Sequence, residues 1–324
     1  MNSKNNPTLK SSKIRVGITL GDPSGIGPAI ILKALKELSG LAKFFVIGDR
    51  WVLDKTGLRI SSFKNNVSFI DLNNIRRKNF IFGRVFAEYG RASMEYLDTS
   101  LELIDNGSID CIVTAPISKE AVNLAGYKIS GHTEYFAKKT NSKNIVMMLL
   151  NDKLRFSLLT RHIPLKDVSS VLNKTMIKNN VSLTEYSLKK MFAIKSPKLV
   201  ICGVNPHASD NGLIGEEENK IIKPAIKGLN NVVGPISADV AIAKLMHKQY
   251  DCAIAAYHDQ ALIALKLTGP EKGVNITLGL PFVRTSPLHG TAFDIAKNPA
   301  AADASSIIRA IKVAIQCTIN QKKA

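Results

Sequence analysis

The sequence feature that most constrains the fold of this 324-residue chain is a short apolar run that ends abruptly in polar residues. Residues 252–256 are wholly apolar and are followed at once by a polar segment that contains His258. The run lacks the alternation of a half-exposed strand, so it predicts a strand buried on both faces, as in parallel sheets. The same pattern recurs twice, at 156–159 before His162 and at 199–204 before His207.

The three histidines that follow these runs are candidate metal ligands. Ligands bind at the carboxyl ends of strands in open α/β sheets, and neutral imidazole is a common ligand of zinc and related divalent metals. Their spacing is long-range, unlike a local HExxH or CxxC signature, and each histidine could instead only form a hydrogen bond at a strand end. Three of the six histidines share this placement, which favours a metal site.

The rest of the chain reads as alternating strands and helices, which predicts an α/β fold with a mostly parallel sheet. Residues 14–20 form a candidate strand that leads directly into a glycine-rich turn at 21–28. The glycines permit tight turns and close backbone approach, and Pro28 can begin the next helix. The turn matches neither the GxGxxG fingerprint nor the P-loop, so as a phosphate signal it is weak.

A second candidate site opens the helix that follows Gly131. His132 and Thr133 stand at the start of that helix, where backbone N–H groups, an imidazole and a hydroxyl can bind phosphate or carboxylate. Simple helix capping is the alternative interpretation. Further along, we interpret Glu216-Glu217-Glu218 as negative charge that suits the beginning of another helix.

Composition excludes several classes of protein. The net charge is +18, but the basic residues are scattered, which favours anionic small-molecule ligands over nucleic acid. No apolar run approaches a membrane span, and the first dozen residues have no apolar core and read as a frayed tail. The four cysteines are widely spaced, which predicts reduced thiols in a cytoplasmic protein.

Eight motifs follow one another from about residue 14 to residue 296: GDPSGIGPAI, TAPISKEAV, GHTEYFA, TRHIPL, NPHASDNGLIGEEE, SADVA, AYHDQALIALK and GVNITLGLPFVRTSPLHGTAFDIA. Together they resemble the NAD-dependent 4-hydroxythreonine-4-phosphate dehydrogenase family of vitamin B6 synthesis. So many separate motifs in one order are far more specific than any single one.

The resemblance implies a two-lobed α/β/α fold like that of isocitrate and isopropylmalate dehydrogenases, with a cleft between the lobes. It implies a terminal lobe of residues 1–135 plus about 265–324, which carries the cofactor loop, and a central lobe of residues 136–264 with metal and dimer contacts. It also implies a homodimer with a shared active site, a cofactor that is NAD or NADP, and one divalent metal ion (zinc, magnesium or cobalt) per site.

The resemblance also assigns roles to particular residues. It implies that His162 and His207 of one subunit and His258 of the other hold the metal ion. Substrate contacts carry over to His132, Thr133, Lys266, Asn275 and Arg284. The loop that begins at His289 is similar to the adenosine-binding loop of the wider superfamily, which implies cofactor contacts at His289, Gly290, Thr291 and Asp294.

Two positions depart from the family pattern. Ala29 stands where relatives carry an acid, and Lys297-Asn298-Pro299 replaces glycines that usually follow the cofactor loop. The first makes a helix N-terminus less acidic. The second changes the residues that follow the cofactor loop. We expect the loop itself to lead into a helix.

The reaction that the resemblance implies is oxidation of 4-(phosphooxy)-L-threonine to 2-amino-3-oxo-4-(phosphooxy)butanoate, followed by decarboxylation to 3-amino-2-oxopropyl phosphate. Asp239 and Lys266 are the two candidates for the general base, and the residues leave that choice open. The alternatives are a sister dehydrogenase for a four-carbon sugar-acid 4-phosphate (erythronate or threonate type) and a metal- or nucleotide-binding regulatory protein without catalysis.

Overall fold

The computed structural model describes residues 14–58 and 66–324, so the predicted N-terminal tail lies outside the described residues. The described residues form eleven strands and eleven α-helices. The strands are β1 (Arg15–Thr19), β2 (Lys43–Gly48), β3 (Val67–Asp71), β4 (Cys111–Thr114), β5 (Val146–Leu150), β6 (Arg155–Leu158), β7 (Leu199–Cys202), β8 (Val232–Ile236), β9 (Cys252–Ala255), β10 (Val274–Leu278) and β11 (Val283–Pro287). The helices are α1 (Gly27–Leu38), α2 (Arg50–Lys55), α3 (Ala87–Asp105), α4 (Lys119–Leu124), α5 (His132–Lys139), α6 (Val168–Val171), α7 (Lys174–Phe192), α8 (Lys223–Ile226), α9 (Ala238–Met246), α10 (His258–Thr268) and α11 (Ser305–Lys323).

The chain divides into two compact units, the first made of residues 1–129 and 289–319 and the second of residues 130–288 and 320–324. The resemblance had predicted that residues from about 265 onwards join the terminal lobe. In the structure, β10 and β11 belong to the second unit. The physical reason is strand pairing, because β10 pairs along its length with β5.

The first unit carries a parallel sheet in the order β3-β2-β1-β4. The apolar run at 14–20 forms β1, whose Val16 and Ile18 are fully buried. Helix α1 begins at Gly27 with a proline in its first turn, as the sequence predicted. It buries Ile30, Ile31 and other apolar side chains, and each such burial stabilises the fold by about 1.5–3 kcal/mol.

The second unit carries a mixed sheet in the order β11-β10-β5-β6-β9-β7-β8. Strands β6, β9, β7 and β8 run parallel, whereas β6-β5, β5-β10 and β10-β11 are antiparallel pairs. The predicted turn after Leu150 is confirmed, since Asn151 Oδ1 accepts hydrogen bonds from the N–H groups of Lys153 and Leu154, both at 2.9 Å. A turn this short can only join antiparallel strands.

All four cysteines are buried, and none of them belongs to a disulfide. Burial raises the pKa of Cys202 and of Cys252 to about 12, so both thiols stay protonated at neutral pH and are poor nucleophiles.

In the part of the chain that the structure describes, no helix is long and apolar enough to cross a membrane.

Candidate active site

The strands that lead to the three candidate metal-binding histidines are neighbours in the sheet. β9 lies between β6 and β7, and both pairings are parallel. The carboxyl ends of these three strands therefore face one edge of the sheet, and His162, His258 and His207 follow there within five residues of the strand ends. The topology that the apolar runs predicted is confirmed for the strands.

Buried polar groups join these three strand ends. Thr160 Oγ1 donates to the carbonyl of Ala256 at 2.7 Å. Gln260 accepts a hydrogen bond from the N–H of Ala256 at 2.8 Å and donates to the carbonyl of Gly203 at 2.9 Å. Because satisfied buried hydrogen bonds restrict side-chain and backbone motion, these contacts hold the segments before the histidines in fixed positions. Sequence analysis missed both side chains.

His162 and His258 lie side by side in one chain. Their ring centroids are 5.6 Å apart, and two imidazoles on one tetrahedral zinc ion, with Zn–N of about 2.0–2.1 Å, place their centroids roughly 5 Å apart. His258 Nδ1 lies 2.7 Å from Asp259 Oδ1, which is the carboxylate contact that orients a ligating histidine and leaves Nε2 for the metal. The pair therefore fits a shared divalent cation.

A third ligand does not join this pair within the chain. Over residues 14–58 and 66–324, no three His, Cys, Asp or Glu side chains group closely enough to hold a metal ion. The resemblance pairs His162 with His207, whereas the ring contact in the chain is with His258. The division of ligands between two subunits stays a prediction.

His207 begins a strained loop. Residues 207–211 all have φ between 43° and 69° although none is glycine, and left-handed backbone costs such residues about 1 kcal/mol or more each. Glu218 holds the loop: its buried Oε1 accepts hydrogen bonds from the N–H groups of Val204 and Asn205 at 2.7 and 2.9 Å. The interpretation of Glu218 as a helix-dipole charge is therefore incomplete, since it also anchors the segment before His207.

Asp239, one of the two candidate bases, lies exposed in the first turn of α9. The hydroxyl of Ser237 donates to its carboxylate. This hydrogen bond, with a smaller contribution from the charge of His207, lowers the pKa of Asp239. The carboxylate is thus ionised at neutral pH and lies close enough to His207 to interact with it.

Arg284, a predicted substrate contact, is 1% exposed in β11. Burial lowers the pKa of its guanidinium to about 9, against a smaller opposing effect of Glu134, so the side chain is still a cation at neutral pH. Its guanidinium carbon lies 6.0 Å from the ring centroid of Phe136. Keeping a positive charge inside a core is costly, which is typical of an anion-binding residue.

Two further predicted substrate contacts lie near Arg284. Its Nη1 donates to Thr277 Oγ1 at 3.2 Å, and Thr277 Oγ1 lies 3.3 Å from Thr133 Oγ1 in the first turn of α5. Asn275 lies two residues before Thr277, on the same face of β10, and its buried Oδ1 has no hydrogen-bond partner among the described residues. The structure therefore brings Thr133 and Arg284 together around Thr277, a residue that sequence analysis missed.

His132 and Lys266 are placed differently. His132 begins α5, immediately before Thr133. Lys266 is exposed in the last turn of α10, eight residues after His258 and therefore about 12 Å further along the helix axis. No described contact within the chain joins Lys266 to Arg284 or to Thr133.

An ion pair borders this cluster. Arg161 Nη2 lies 3.6 Å from Glu134 Oε1, so α5 supplies both the hydroxyl of Thr133 and a carboxylate. Arg161 Nη1 is buried and, among the described residues, makes no hydrogen bond. Two arginines and one glutamate leave an excess of positive charge next to α5.

The predicted cofactor loop, His289 to Asp294, belongs to the first unit and lies on the glycine-rich turn. The N–H of Ile26 donates to the carbonyl of Thr291 at 2.9 Å. A Cβ added at Gly25 would lie 2.9 Å from that same carbonyl oxygen, so only glycine permits the contact. Gly290 is exposed, with open space where a Cβ would be.

The expectation that this loop enters a helix is wrong. Residues 293–297 form turns, and a short 3-10 turn, Pro299–Ala301, precedes α11. Proline disfavours helical backbone in the residue before it, and Asn298 accordingly has φ −117° and ψ 82°. The change from family glycines to Lys297-Asn298-Pro299 therefore coincides with a non-helical exit.

Asp22 is a fully buried carboxylate in the glycine-rich turn. Ser24 donates to Asp22 Oδ1 from its N–H and from its hydroxyl, both at 2.9 Å, and the Ser24 hydroxyl also donates to the carbonyl of Arg84. Burial raises the pKa of Asp22 to about 6, although hydrogen bonds from Ser24 and from the Ser118 N–H oppose the shift. Sequence analysis missed this group because nothing in its spacing signals burial.

We expect Asp22→Asn to change how stability depends on pH. Because the folded pKa is about 6 and the ordinary value is 3.8, the folded state binds the proton more tightly, and Asp22 adds stability as the pH falls through 6. The free energy of unfolding of the wild type, minus that of the variant, should therefore be higher at pH 5 than at pH 7.5 by about 1–1.5 kcal/mol. Urea unfolding at both pH values measures this, and Asp54→Asn, which removes an exposed carboxylate, is the control. An equal difference at the two pH values contradicts the assignment.

A mostly parallel α/β fold with polar residues gathered beyond the strand ends is the architecture of an enzyme that acts on small molecules. The family model of the pyridoxal phosphate biosynthetic protein PdxA matches residues 40–314. The chain belongs to this family.

Named relatives cover nearly all of the chain. A 4-hydroxythreonine-4-phosphate dehydrogenase from Sulfurihydrogenibium sp. is 44% identical over 318 residues, 93% of this chain and 98% of the relative. A D-threonate 4-phosphate dehydrogenase from Salmonella typhimurium is 38% identical, with the same shares of both chains. The crystal structure of a 4-hydroxythreonine-4-phosphate dehydrogenase from Klebsiella pneumoniae matches with a TM-score of 0.85 at 34% identity, covering 95% of this chain and 99% of that one.

Proposed function

We propose that this protein is an oxidoreductase that uses NAD or NADP to oxidise 4-(phosphooxy)-L-threonine to 2-amino-3-oxo-4-(phosphooxy)butanoate. This β-keto acid loses carbon dioxide to give 3-amino-2-oxopropyl phosphate in the synthesis of pyridoxal phosphate. The observation that carries the proposal is the buried guanidinium of Arg284 beside Thr277 and Thr133. The family is named for pyridoxal phosphate biosynthesis, and the relatives are named for phosphorylated four-carbon substrates.

The phosphate of the substrate binds to Arg284, Thr133 and His132. A buried guanidinium attracts an anion strongly, since the anion offsets the cost of the buried charge. The N–H groups at the start of α5 and the Thr133 hydroxyl add hydrogen-bond donors. Asn275 Oδ1, which is buried and accepts no hydrogen bond among the described residues, binds a donor group of the substrate.

Oxidation of the substrate alcohol separates a hydride from a proton. A bound NAD or NADP would accept the hydride, and the hydroxyl proton passes to a base, for which Asp239 and Lys266 are the candidates. The lowered pKa of Asp239 keeps it ionised at neutral pH but makes it a weaker base than an ordinary carboxylate. The loop of His289, Gly290, Thr291 and Asp294 binds the cofactor.

A divalent metal ion, zinc, magnesium or cobalt, held by His162, His207 and His258, would act as a Lewis acid on the substrate oxygen. The Asp259 contact supports this role for His258, because it orients the ring and leaves Nε2 for the metal. Glu218 and Gln260 fix the backbone from which the ligands extend.

The protein acts as a homodimer whose two active sites each use residues of both subunits. Large exposed apolar side chains follow each predicted ligand along the chain: Leu165 is 69%, Leu213 84% and Leu267 82% exposed. Exposed apolar surface of this kind is typical of an interface. Lys266 follows His258 on α10, so α10 of a partner subunit would supply both residues. No described contact joins Lys266 to Arg284 within one chain, which is consistent with this arrangement. Buried, protonated thiols suit a reducing cytoplasm.

The second candidate function is oxidation of a four-carbon sugar-acid 4-phosphate of the erythronate or threonate type. The match to the Salmonella typhimurium D-threonate 4-phosphate dehydrogenase favours it. The phosphate contacts would be the same in both reactions, and only the groups around the substrate amine or hydroxyl at carbon 2 would differ.

A substrate panel tests the proposal. We expect NADH formation, followed by absorbance, to be at least about tenfold faster in kcat/KM with 4-(phosphooxy)-L-threonine than with D-erythronate or D-threonate 4-phosphate, which corresponds to about 1.4 kcal/mol of discrimination. Unphosphorylated 4-hydroxythreonine is the control for the role of the phosphate. A preference for either sugar acid overturns the amino-acid assignment and establishes the second candidate.

A further inference from the structure

The hydroxyl of Thr277 joins two residues that bind substrate in the proposed function. It is 1% exposed on β10 and touches Arg284 from β11 and Thr133 from α5. The pairing of β10 with β11 is antiparallel and aligns Ile276 with Thr285, so the next pair in register is Thr277 with Arg284. Residues directly opposite each other in an antiparallel pair interact closely, which explains why the hydroxyl reaches the guanidinium.

The chemistry of the three groups gives this contact a direction. A guanidinium can only donate hydrogen bonds, so Thr277 Oγ1 must accept from Arg284 Nη1. Thr277 then still has its own proton to donate, and Thr133 Oγ1 lies 3.3 Å away, where either hydroxyl can be the donor. If Thr277 donates to Thr133, the hydroxyl proton of Thr133 is left to bind another group.

We infer that Thr277 is a positioning residue for anion recognition, which holds the Arg284 guanidinium and turns the Thr133 hydroxyl so that its proton points toward the phosphate of the substrate. The inference rests on the proposed function for the identity of the anion. The hydrogen bonds run from Arg284 to Thr277, from Thr277 to Thr133, and from Thr133 to the phosphate. Thr277 itself touches no substrate.

The methyl group and the hydroxyl of Thr277 have separable roles. The methyl packs in a strand whose neighbours Ile276 and Leu278 are fully buried, so it contributes to folding. The hydroxyl sets the orientation of two donors, and a change there alters ligand binding. Thr277→Val keeps the shape and removes the hydroxyl, whereas Thr277→Ser keeps the hydroxyl and removes the methyl.

The test measures binding of inorganic phosphate by calorimetry and steady-state kinetics with 4-(phosphooxy)-L-threonine, for the full chain with bound metal. We expect Thr277→Val to weaken phosphate binding and to raise KM by about tenfold, as for the loss of one hydrogen bond to a charged system, while kcat changes less than about twofold. Thr277→Ser should restore phosphate binding to within about threefold of the wild type.

Thr184→Val is the matched control. Thr184 is also fully buried, and its hydroxyl donates to a side chain, Asn180 Oδ1, at 3.3 Å. The control variant should lose stability in urea by an amount similar to that lost by Thr277→Val and keep the wild-type affinity for phosphate.

Each outcome decides the inference. The inference is overturned if Thr277→Val binds phosphate as strongly as the wild type. It is also overturned if Thr277→Val and Thr184→Val weaken phosphate binding equally, because the role of Thr277 would then be structural alone. Failure of the wild type to bind inorganic phosphate also overturns it. If the wild type does not oxidise 4-(phosphooxy)-L-threonine but binds phosphate through Thr277, the proposed function fails and the role of Thr277 stands.

Discussion

Arg284→Met should abolish most activity without destabilising the protein. The variant removes the guanidinium proposed to bind phosphate, and hydrogen bonds to charged groups contribute about 1.5–3 kcal/mol each, so we expect kcat/KM for the phosphorylated substrate to fall at least about a hundredfold. The buried charge destabilises the fold itself, as the lowered pKa of Arg284 indicates. Replacing it with an apolar side chain of similar length should leave the free energy of unfolding unchanged or raise it by up to about 4 kcal/mol.

Arg155→Met is the control for this experiment. Arg155 is also partly buried in the second unit, where its guanidinium lies 5.1 Å from the ring centroid of Phe192. That variant should keep the wild-type kcat/KM and lose at most about 1 kcal/mol of stability, the scale of an exposed cation–π contact. Urea unfolding and kinetics on the same preparations make the comparison. If Arg284→Met loses stability and activity together, the residue is structural and the phosphate assignment fails.

His207→Ala and His258→Ala should each weaken metal binding at least about tenfold and abolish activity, and the two inactive variants should complement each other when mixed. In the proposed dimer, each site uses His162 and His207 of one subunit and His258 of the partner subunit. A heterodimer of the two variants then has one site with both substitutions and one intact site. Random reassociation of equal amounts should restore about a quarter of the wild-type activity, because half of the dimers formed are heterodimers.

Binding of cobalt(II), followed by its visible spectrum, gives a measurement that does not depend on turnover. Each single variant should bind the ion at least about tenfold more weakly, and the mixture should recover about a quarter of the wild-type spectral amplitude by the same subunit counting. His247→Ala removes an exposed histidine at the end of α9 and should change neither result. If the mixture stays inactive while both variants remain dimeric, each metal site lies within one chain. The contact of His162 with His258 within one chain would then be part of that site.

The sequence predicted the elements of the site better than its contacts. The apolar runs before His162, His207 and His258 correctly indicated strands whose carboxyl ends share one edge, because burial on both faces leaves a signal in the residue types themselves. The start of α1 at the glycine-rich turn and the beginning of α5 at His132 were predicted for the same kind of reason, since proline, glycine and capping residues act within a few positions.

Several of the residues that sequence analysis missed act over long distances along the chain. Gln260 joins the strand ends before His207 and His258, and Glu218 anchors the segment before His207 from 13 residues away. Little in the local sequence distinguishes Thr277, and only the pairing of β10 with β11 places Arg284 opposite it. No local pattern indicates such contacts, although the buried polar residue Thr277 in strand β10, which otherwise carries only one polar residue, Asn275, was a signal that could have been used.

By itself, the sequence determined the class of fold, the order of strands and helices, and the residue types available for binding an anion and a metal ion. These properties depend on local residue preferences and on the periodicity of apolar side chains, which neighbouring positions set. Only the tertiary structure decided that β10 and β11 join the second unit, that Arg284 is buried against Thr277, and that His162 contacts His258 within one chain. Those features arise from strand pairing and burial between residues that are far apart in the chain. Which of the possible pairings forms depends on the stability of the whole fold and not on any local segment.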